Sequence, residues 1–226
     1  LGFAGFNMLV YGAAHFTASV NISIEQAAIP VIVFVGNFLV FRVRARSLQM
    51  LGLVLTVLGV VWVATHGEPT RLIDLSVNIG DAMVLLACLF YALYSLSLRY
   101  RPNIHWLSFM FTTSAAALVA SVVFLFAFGG GIETLFAGLP ATTPIGWLCV
   151  AYVMLFPSII AQLAYARGLE IVGPNRASIF INLLPIFGTV LSVAILGEQL
   201  APFHLLAAAL VIMGIAFSEY AVRARA

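Results

Sequence analysis

RASIFINLLPIFGTVLSVAILGE, residues Arg176 to Glu198, recurs in weakened form earlier in the chain as NISIEQAAIPVIVFVGNFLVFRV, residues Asn21 to Val43. Sliding the sequence by 155 positions superposes Ser23 on Ser178, Ile24 on Ile179, Pro30 on Pro185, Val35 on Val190, Leu51 on Leu206, Leu55 on Leu210 and Gly59 on Gly214, seven identities over positions 23 to 59. Identity at that level carries little alone. A proline at the same depth of two apolar segments, each followed by a second apolar segment, is an architectural sign, and it predicts duplicated membrane helices.

The composition agrees. Of 226 residues, 63% are hydrophobic and 8% charged, with a mean hydropathy of +1.13, whereas soluble domains carry roughly 25% charge. Ten arginines, no lysine and eight acids cannot cover a water-exposed surface of this size. Cutting the chain at charges, Pro and Gly leaves eight apolar segments of membrane-spanning character: 1–15, 20–41, 48–65, 80–98, 106–128, 145–166, 177–196 and 203–222. Cys88 and Cys149 lie inside apolar runs without a second ligand at metal spacing, and read as packing residues. Leu1 is not an initiator methionine, and no basic leader or cleavage motif follows it, so the chain is expected to begin within a longer protein.

The arginines orient the helices. Arg42, Arg44, Arg46, Arg99, Arg101, Arg167, Arg176, Arg223 and Arg225 all fall on one face of the expected bundle, and only Arg71 falls on the other. The positive-inside rule puts the nine-arginine face and the C-terminus in the cytoplasm, so a multi-pass protein of the cell membrane, a bacterial cytoplasmic membrane, is expected. Five helices separate the first segment from its copy at 145–166, so the two copies must cross the membrane in opposite directions. An inverted repeat follows, with 80–222 as a complete five-helix unit and 1–66 as the last three helices of another. Residues 67–79 are then an extracytoplasmic loop and 223–226 a cytoplasmic tail.

These residues resemble a known family. GPNRASIFINLLPIFGTVLSVAILGE, Gly173 to Glu198, followed by an apolar helix containing Gly214, resembles the second repeat of EamA-type transporters of the drug/metabolite transporter superfamily. GDAMVLLACLFYALYSLSLRY, Gly80 to Tyr100, is similar to the opening helix of that repeat, and Phe16 to Pro30 to the matching part of the first. The resemblance implies an all-α polytopic membrane protein of ten helices, eight of them present here, in two inverted five-helix repeats around a central cavity that passes small organic molecules. Where the first repeat would end its fourth helix in a Leu-Gly-Glu-like turn, Phe41, Arg42 and Val43 stand instead, so Glu198 has no acidic counterpart.

Candidate chemistry lies in the few polar residues at membrane depth. Ser178, Asn182, Pro185, Thr189 and Ser192 recur at helical spacing, and Ser23, Ala27, Pro30, Phe34 and Asn37 repeat that register with Gln26 beside it. Such stripes point away from lipid, either as interhelical packing or as the lining of a substrate path. Pro30 and Pro185 each remove a backbone donor near mid-helix, which suits either a static kink or a hinge. Glu25 is the one acid well inside an expected span: an interfacial acid, or a substrate and proton-coupling residue. Asn7, Tyr11, Tyr91, Tyr94, Ser95, Gln162 and Tyr165 complete the candidates for a cavity that receives an amphipathic solute.

No HExxH, Gly-x-Ser-x-Gly, nucleotide-binding loop or intramembrane Asp pair occurs, so neither an enzyme nor an ATP-driven pump is expected, and no cofactor or metal. The expected function is secondary transport, the export of small organic metabolites by alternating access, with a non-transporting membrane assembly or receptor protein as the alternative that an uptake assay would separate from it. The partners are a small-molecule substrate and the lipid bilayer, with nothing pointing to nucleic acid. With no arginine in mid-span, neutral, zwitterionic or cationic solutes such as amino acids are favoured. Gly52 and Gly59, with Ala207 and Gly214, form a small-residue seam open to two uses, packing within the bundle or a homodimer.

Overall fold

The computed structural model describes residues 2, 4–17, 19–73, 78–102, 104–128, 131–139, 143–191, 193–194, 197 and 199–223. Among these, all regular structure is helical, and it runs as α1 (Ala4–Ala13), α2 (Ser19–Gln26), α3 (Ala28–Phe41), α4 (Ser47–Ala64), α5 (Ile79–Ser97), α6 (Trp106–Phe128), α7 (Gly131–Gly138), α8 (Pro144–Leu155), α9 (Gln162–Val172), α10 (Pro174–Ile179), α11 (Leu184–Leu191) and α12 (Pro202–Arg223). Among the described residues, six stretches are long and apolar enough to cross a bilayer: Asn21–Phe41, Ser47–Ala64, Ile79–Tyr100, Ser108–Ala127, Pro144–Val172 and Pro202–Ala221. Six rather than eight meet that length because α1 has ten residues and the stretch beginning at α10 is broken into short pieces. Ser192 and Glu198 lie outside the described residues.

The segment expected at 145–166 extends further, to Val172. Pro157 cannot donate to the carbonyl of Val153 four residues back. The Ser158 hydroxyl donates to that carbonyl instead, at 2.9 Å, and the helix passes through a π-helical stretch, Phe156–Ala161, before resuming as α9. The loop expected between 129 and 144 contains the short helix α7.

Small residues decide which helices touch. A Cβ placed on Gly52 would lie 2.3 Å from the Gly214 carbonyl oxygen, and one on Gly59 would lie 2.9 Å from that of Ala207. Those two contacts set α4 and α12 antiparallel along a backbone-to-backbone seam. The four seam residues therefore pack against one another inside the bundle. On α1, Gly5 and Gly12 face Phe90 and Met83 of α5, again antiparallel. The apolar core joins these elements: Ile29, Val33, Val84, Cys88 and Ala92 are almost wholly enclosed, with Phe6, Ile32 and Tyr165 packed around them. By contrast α8 has no buried residue, so its apolar side chains face outward, toward lipid.

Polar groups fix the two ends of the bundle. At one end Asn78 caps α5 by accepting from the Gly80 amide at 2.7 Å, and Asp81 returns the bond by accepting from the Asn78 amide at 2.7 Å. The same carboxylate accepts from the Thr17 hydroxyl at 2.6 Å and from Asn21 Nδ2 at 3.4 Å, tying the start of α2 to the start of α5. At the other end, where the arginines cluster, Arg176 pairs with Glu219, Arg46 donates to the Ala221 carbonyl, and Arg101 donates to Glu170 at 3.0 Å.

Candidate functional site

Both prolines break their helices one turn upstream. Pro30 cannot donate to the Gln26 carbonyl, and α2 stops at Gln26 with Ala27 as a turn before α3 begins. Pro185 cannot donate to the Ile181 carbonyl, and the chain there narrows to a 3₁₀ turn, Phe180–Leu183, in which the Leu184 amide donates to Ile181. Gln26 and Ile181 are mates under the 155-residue shift. The two discontinuities face each other across a cavity of about 270 Å³, lined by Ser23, Gln26 and Ala27 on one side and Ile181, Asn182, Pro185 and Gly188 on the other. Broken helices are tolerated at membrane depth where their backbone lines a cavity, as these do.

One wall of this cavity is held firmly. Asn182 is 2% exposed and its Nδ2 donates to Thr56 Oγ1 at 2.9 Å, while the Thr56 hydroxyl donates to the Leu53 carbonyl at 2.9 Å. Asn182 thus docks the α10–α11 discontinuity on α4. Ser178 and Thr189, its neighbours in the polar stripe, spend their hydroxyls locally: Ser178 donates to the Asn175 carbonyl at 3.1 Å and Thr189 to the Pro185 carbonyl at 2.9 Å. On these two residues the hydroxyls serve the helix itself and neither lines the cavity, whereas Ile181, Asn182, Leu184, Pro185 and Gly188 of that segment do. Pro30 is buried within α3.

A second cluster gathers the aromatic candidates. Tyr91 packs in tilted geometry against Phe6, Tyr94 and Tyr165, with ring centroids 5.0, 6.2 and 5.3 Å apart. Ser95 donates to the Tyr91 carbonyl at 2.9 Å, so in the 3.0 Å bond between Ser95 and Tyr165 the tyrosine hydroxyl is the donor. Gln162, one turn before Tyr165 on α9, is half-buried, and its Oε1 is shielded from solvent with no partner among the described residues. Asn7 is half-buried on α1, whereas Tyr11 is 62% exposed and stands apart from both clusters.

Glu25 takes neither place. Its backbone carbonyl accepts from the Cys88 thiol at 3.5 Å, and its Oε2 is buried without a partner among the described residues. Its backbone thus meets α5, and Glu25 is not among the residues that line the cavity, as Ser23 and Gln26 of the same helix do. An unpaired carboxylate oxygen in an apolar setting is costly.

Several residues of consequence escaped the sequence. Thr56 lies in an otherwise apolar helix and carries no signal by itself; only the bond from Asn182 reveals it. Asp81 could have been found from its position three residues after Asn78, the spacing of a capping box. Asn175, 8% exposed, accepts from Asn37 Nδ2 at 2.9 Å and joins α10 to α3 across 138 positions of sequence.

Comparison with known proteins gives three findings. The family model described as EamA-like transporter family matches residues 78–220. Two curated proteins of Bacillus subtilis (strain 168) are similar: the uncharacterized transporter YyaM, 26% identical over 99% of this chain and 72% of its own length, and the uncharacterized transporter YetK, 24% identical over 92% and 61%. A protein of known crystal structure superposes with a TM-score of 0.75 over 98% of this chain and 75% of its own, at 15% identity, a likeness of fold alone.

Proposed function

Because the chain belongs to the EamA-like transporter family, we propose that it is a secondary transporter that exports small organic metabolites, such as amino acids or related compounds, across the cytoplasmic membrane by alternating access between two inverted repeats. The observation that carries this reading is the cavity of about 270 Å³ between the two proline-induced helix breaks. Its size sits near the lower end of small-molecule sites, about 300–1,000 Å³, which suits a solute of amino-acid dimensions. Its lining mixes apolar surface with a hydroxyl and two amide side chains, from Ser23, Gln26 and Asn182, and contains no charge.

The α4–α12 seam supports inversion of the two halves. In a pair of repeats related by a twofold axis, a contact between one residue and another requires the same contact between their mates. Gly52 meets Gly214, and their mates under the 155-residue shift, Ala207 and Gly59, meet each other. The hinge role falls to Pro30 and Pro185, where the helical hydrogen-bond ladder is already interrupted. Glu25, buried beside α5 and outside the cavity, is the proton-coupling residue in this account. The arginine-bearing end faces the cytoplasm.

Reconstituted in proteoliposomes, the full-length protein should catalyse saturable counterflow of a labelled amino acid, driven only by unlabelled solute trapped inside. Uptake that neither saturates nor responds to trapped solute, across a panel of amino acids and related metabolites, would defeat the proposal.

A further inference from the structure

A second cavity, of about 580 Å³, lies at the arginine-bearing end of the bundle, away from the helix breaks, and its charge is one-sided. Arg44, Arg99, Arg101 and Arg176 line it against one acid, Glu170. Two of the four cations are engaged by carboxylates, Arg101 by Glu170 and Arg176 by Glu219. Glu170 also accepts from Arg167, so that acid is fully committed. Among the described residues Arg44 and Arg99 have no carboxylate partner, and Arg99 rests on the face of Phe41, its guanidinium 4.5 Å from the ring centroid. Two uncompensated guanidinium groups therefore face one concave space with low-dielectric walls, which focuses a positive potential into it.

A second observation gives the site a polar floor. Asn37, only 3% exposed, lines the cavity with its Oδ1 buried and unpartnered among the described residues, while its Nδ2 is spent on Asn175. A buried acceptor without a donor is uncommon enough in proteins to mark a place where a ligand donor belongs. We propose that this cavity is an oxyanion site, taking a carboxylate or phosphate group on Arg44 and Arg99 and a hydrogen-bond donor of the same solute on Asn37. The proposal rests on the transport reading for its purpose: the interior cavity carries no charge, so an anionic group of the cargo is met at this mouth before the solute passes inward. It refines the substrate class to solutes that carry an oxyanion beside a hydroxyl or ammonium group. An anionic lipid headgroup has the same chemistry, and the test separates the two sources.

The experiment reads the potential of the cavity directly. In a Cys149→Ala background, Cys88 being fully buried, Val172→Cys places a thiol in the lining of the same cavity as both arginines. Its reaction rates with negatively and positively charged methanethiosulfonates of equal size are compared in nanodiscs of purely zwitterionic lipid. The anionic reagent should react faster, and Arg44→Gln or Arg99→Gln should each lower the anion-to-cation rate ratio by about 3- to 10-fold. Arg44→Lys should restore it, which a merely structural role would not predict. Inorganic phosphate or lactate should slow labelling at least several-fold at an ionic strength matched with chloride, and neutral lactamide should not. Protection by anionic lipid alone, with none from phosphate or lactate, would assign the site to headgroups and overturn the role in solute capture. A ratio indifferent to both arginines would overturn the oxyanion site itself. Because labelling needs no transport, loss of counterflow with the potential intact would fault the transport reading, and the reverse would fault this inference.

Discussion

Replacing Gly214 with alanine puts one methyl group into the backbone-to-backbone contact of the α4–α12 seam. The added Cβ would lie 2.5 Å from the Gly52 carbonyl oxygen, 2.7 Å from Thr56 Cγ2 and 3.0 Å from the Thr56 amide nitrogen. Ordinary contact begins at 3.4 Å, so the overlap with Gly52 is about 0.9 Å, and the obstacle is backbone that cannot rotate aside. The α4–α12 seam must part by a similar amount. A gap of about 0.5–1 Å forfeits a quarter to a half of each atom-pair attraction of roughly 0.1–0.2 kcal/mol, and over some tens of pairs the loss is about 1–3 kcal/mol. That agrees with the usual cost of overpacking, about 1–3 kcal/mol. Gly168 supplies the control, since nothing lies within 4 Å of a Cβ placed there in the interior of α9. Gly168→Ala should stabilise by up to about 1 kcal/mol through helix propensity alone. The two variants should differ by about 2–4 kcal/mol, or roughly 5–15 °C in Tm for a chain of this size. Thermal unfolding of each purified protein in the same detergent, followed by light scattering or intrinsic fluorescence, measures the difference. Equal Tm values for Gly214→Ala and Gly168→Ala would refute the seam as drawn. Because the clash also presses on Thr56, the Gly214 variant should lose transport affinity through the Asn182 contact as well as stability.

Other expectations follow from single contacts. A double-mutant cycle with Thr56→Val and Asn182→Ala, read by the same unfolding assay, should give a coupling of about 0.6–1.7 kcal/mol, the range found for hydrogen bonds between membrane helices; a coupling of zero would mean that Asn182 does not dock on α4. Pro185→Ala restores a backbone donor to the Ile181 carbonyl, and should slow counterflow several-fold while leaving the half-saturating concentration nearly unchanged; an unchanged rate in vesicles would remove the hinge role. Glu25→Gln keeps the shape of the side chain and removes its titration, so it should abolish the dependence of transport on a pH gradient; transport that keeps its full pH response in this variant would dismiss proton coupling through Glu25.

How much could be read in advance depended on the kind of interaction. The apolar spans were legible because a bilayer demands an unbroken run of apolar residues, and the ends of α4, α5 and α6 fall within a few residues of the segments cut at charges, Pro and Gly. The seam of Gly52, Gly59, Ala207 and Gly214 was legible because only residues without bulk allow backbones to touch. The prolines announced two helix breaks, but not that Gln26 and Ile181 would face one cavity, since that depends on how α2 packs against the later segment. Periodicity put Ser178, Asn182 and Thr189 on one stripe, yet it could not tell a hydroxyl turned back onto its own helix from an amide that reaches across to α4. Tyr91, Ser95 and Tyr165 lie together in one cluster that lines neither of the two cavities described, while Tyr11 on the short α1 faces outward. The paired acids of the arginine-rich end, Glu170 and Glu219, drew no attention because ion pairs between distant helices leave no local pattern.

The central claim is that the space between the two helix breaks opens alternately to the two sides of the membrane. Gly188 lines that space, and an added Cβ there meets nothing within 4 Å, so Gly188→Cys in the Cys149→Ala background is a gentle probe. Its reaction with a membrane-impermeant thiol reagent, applied separately to each face of sealed vesicles, measures access directly. The account predicts labelling from both faces, with the rate from one rising as the rate from the other falls when solute is supplied on one side. Labelling from one face only, or from neither, under every condition would contradict it.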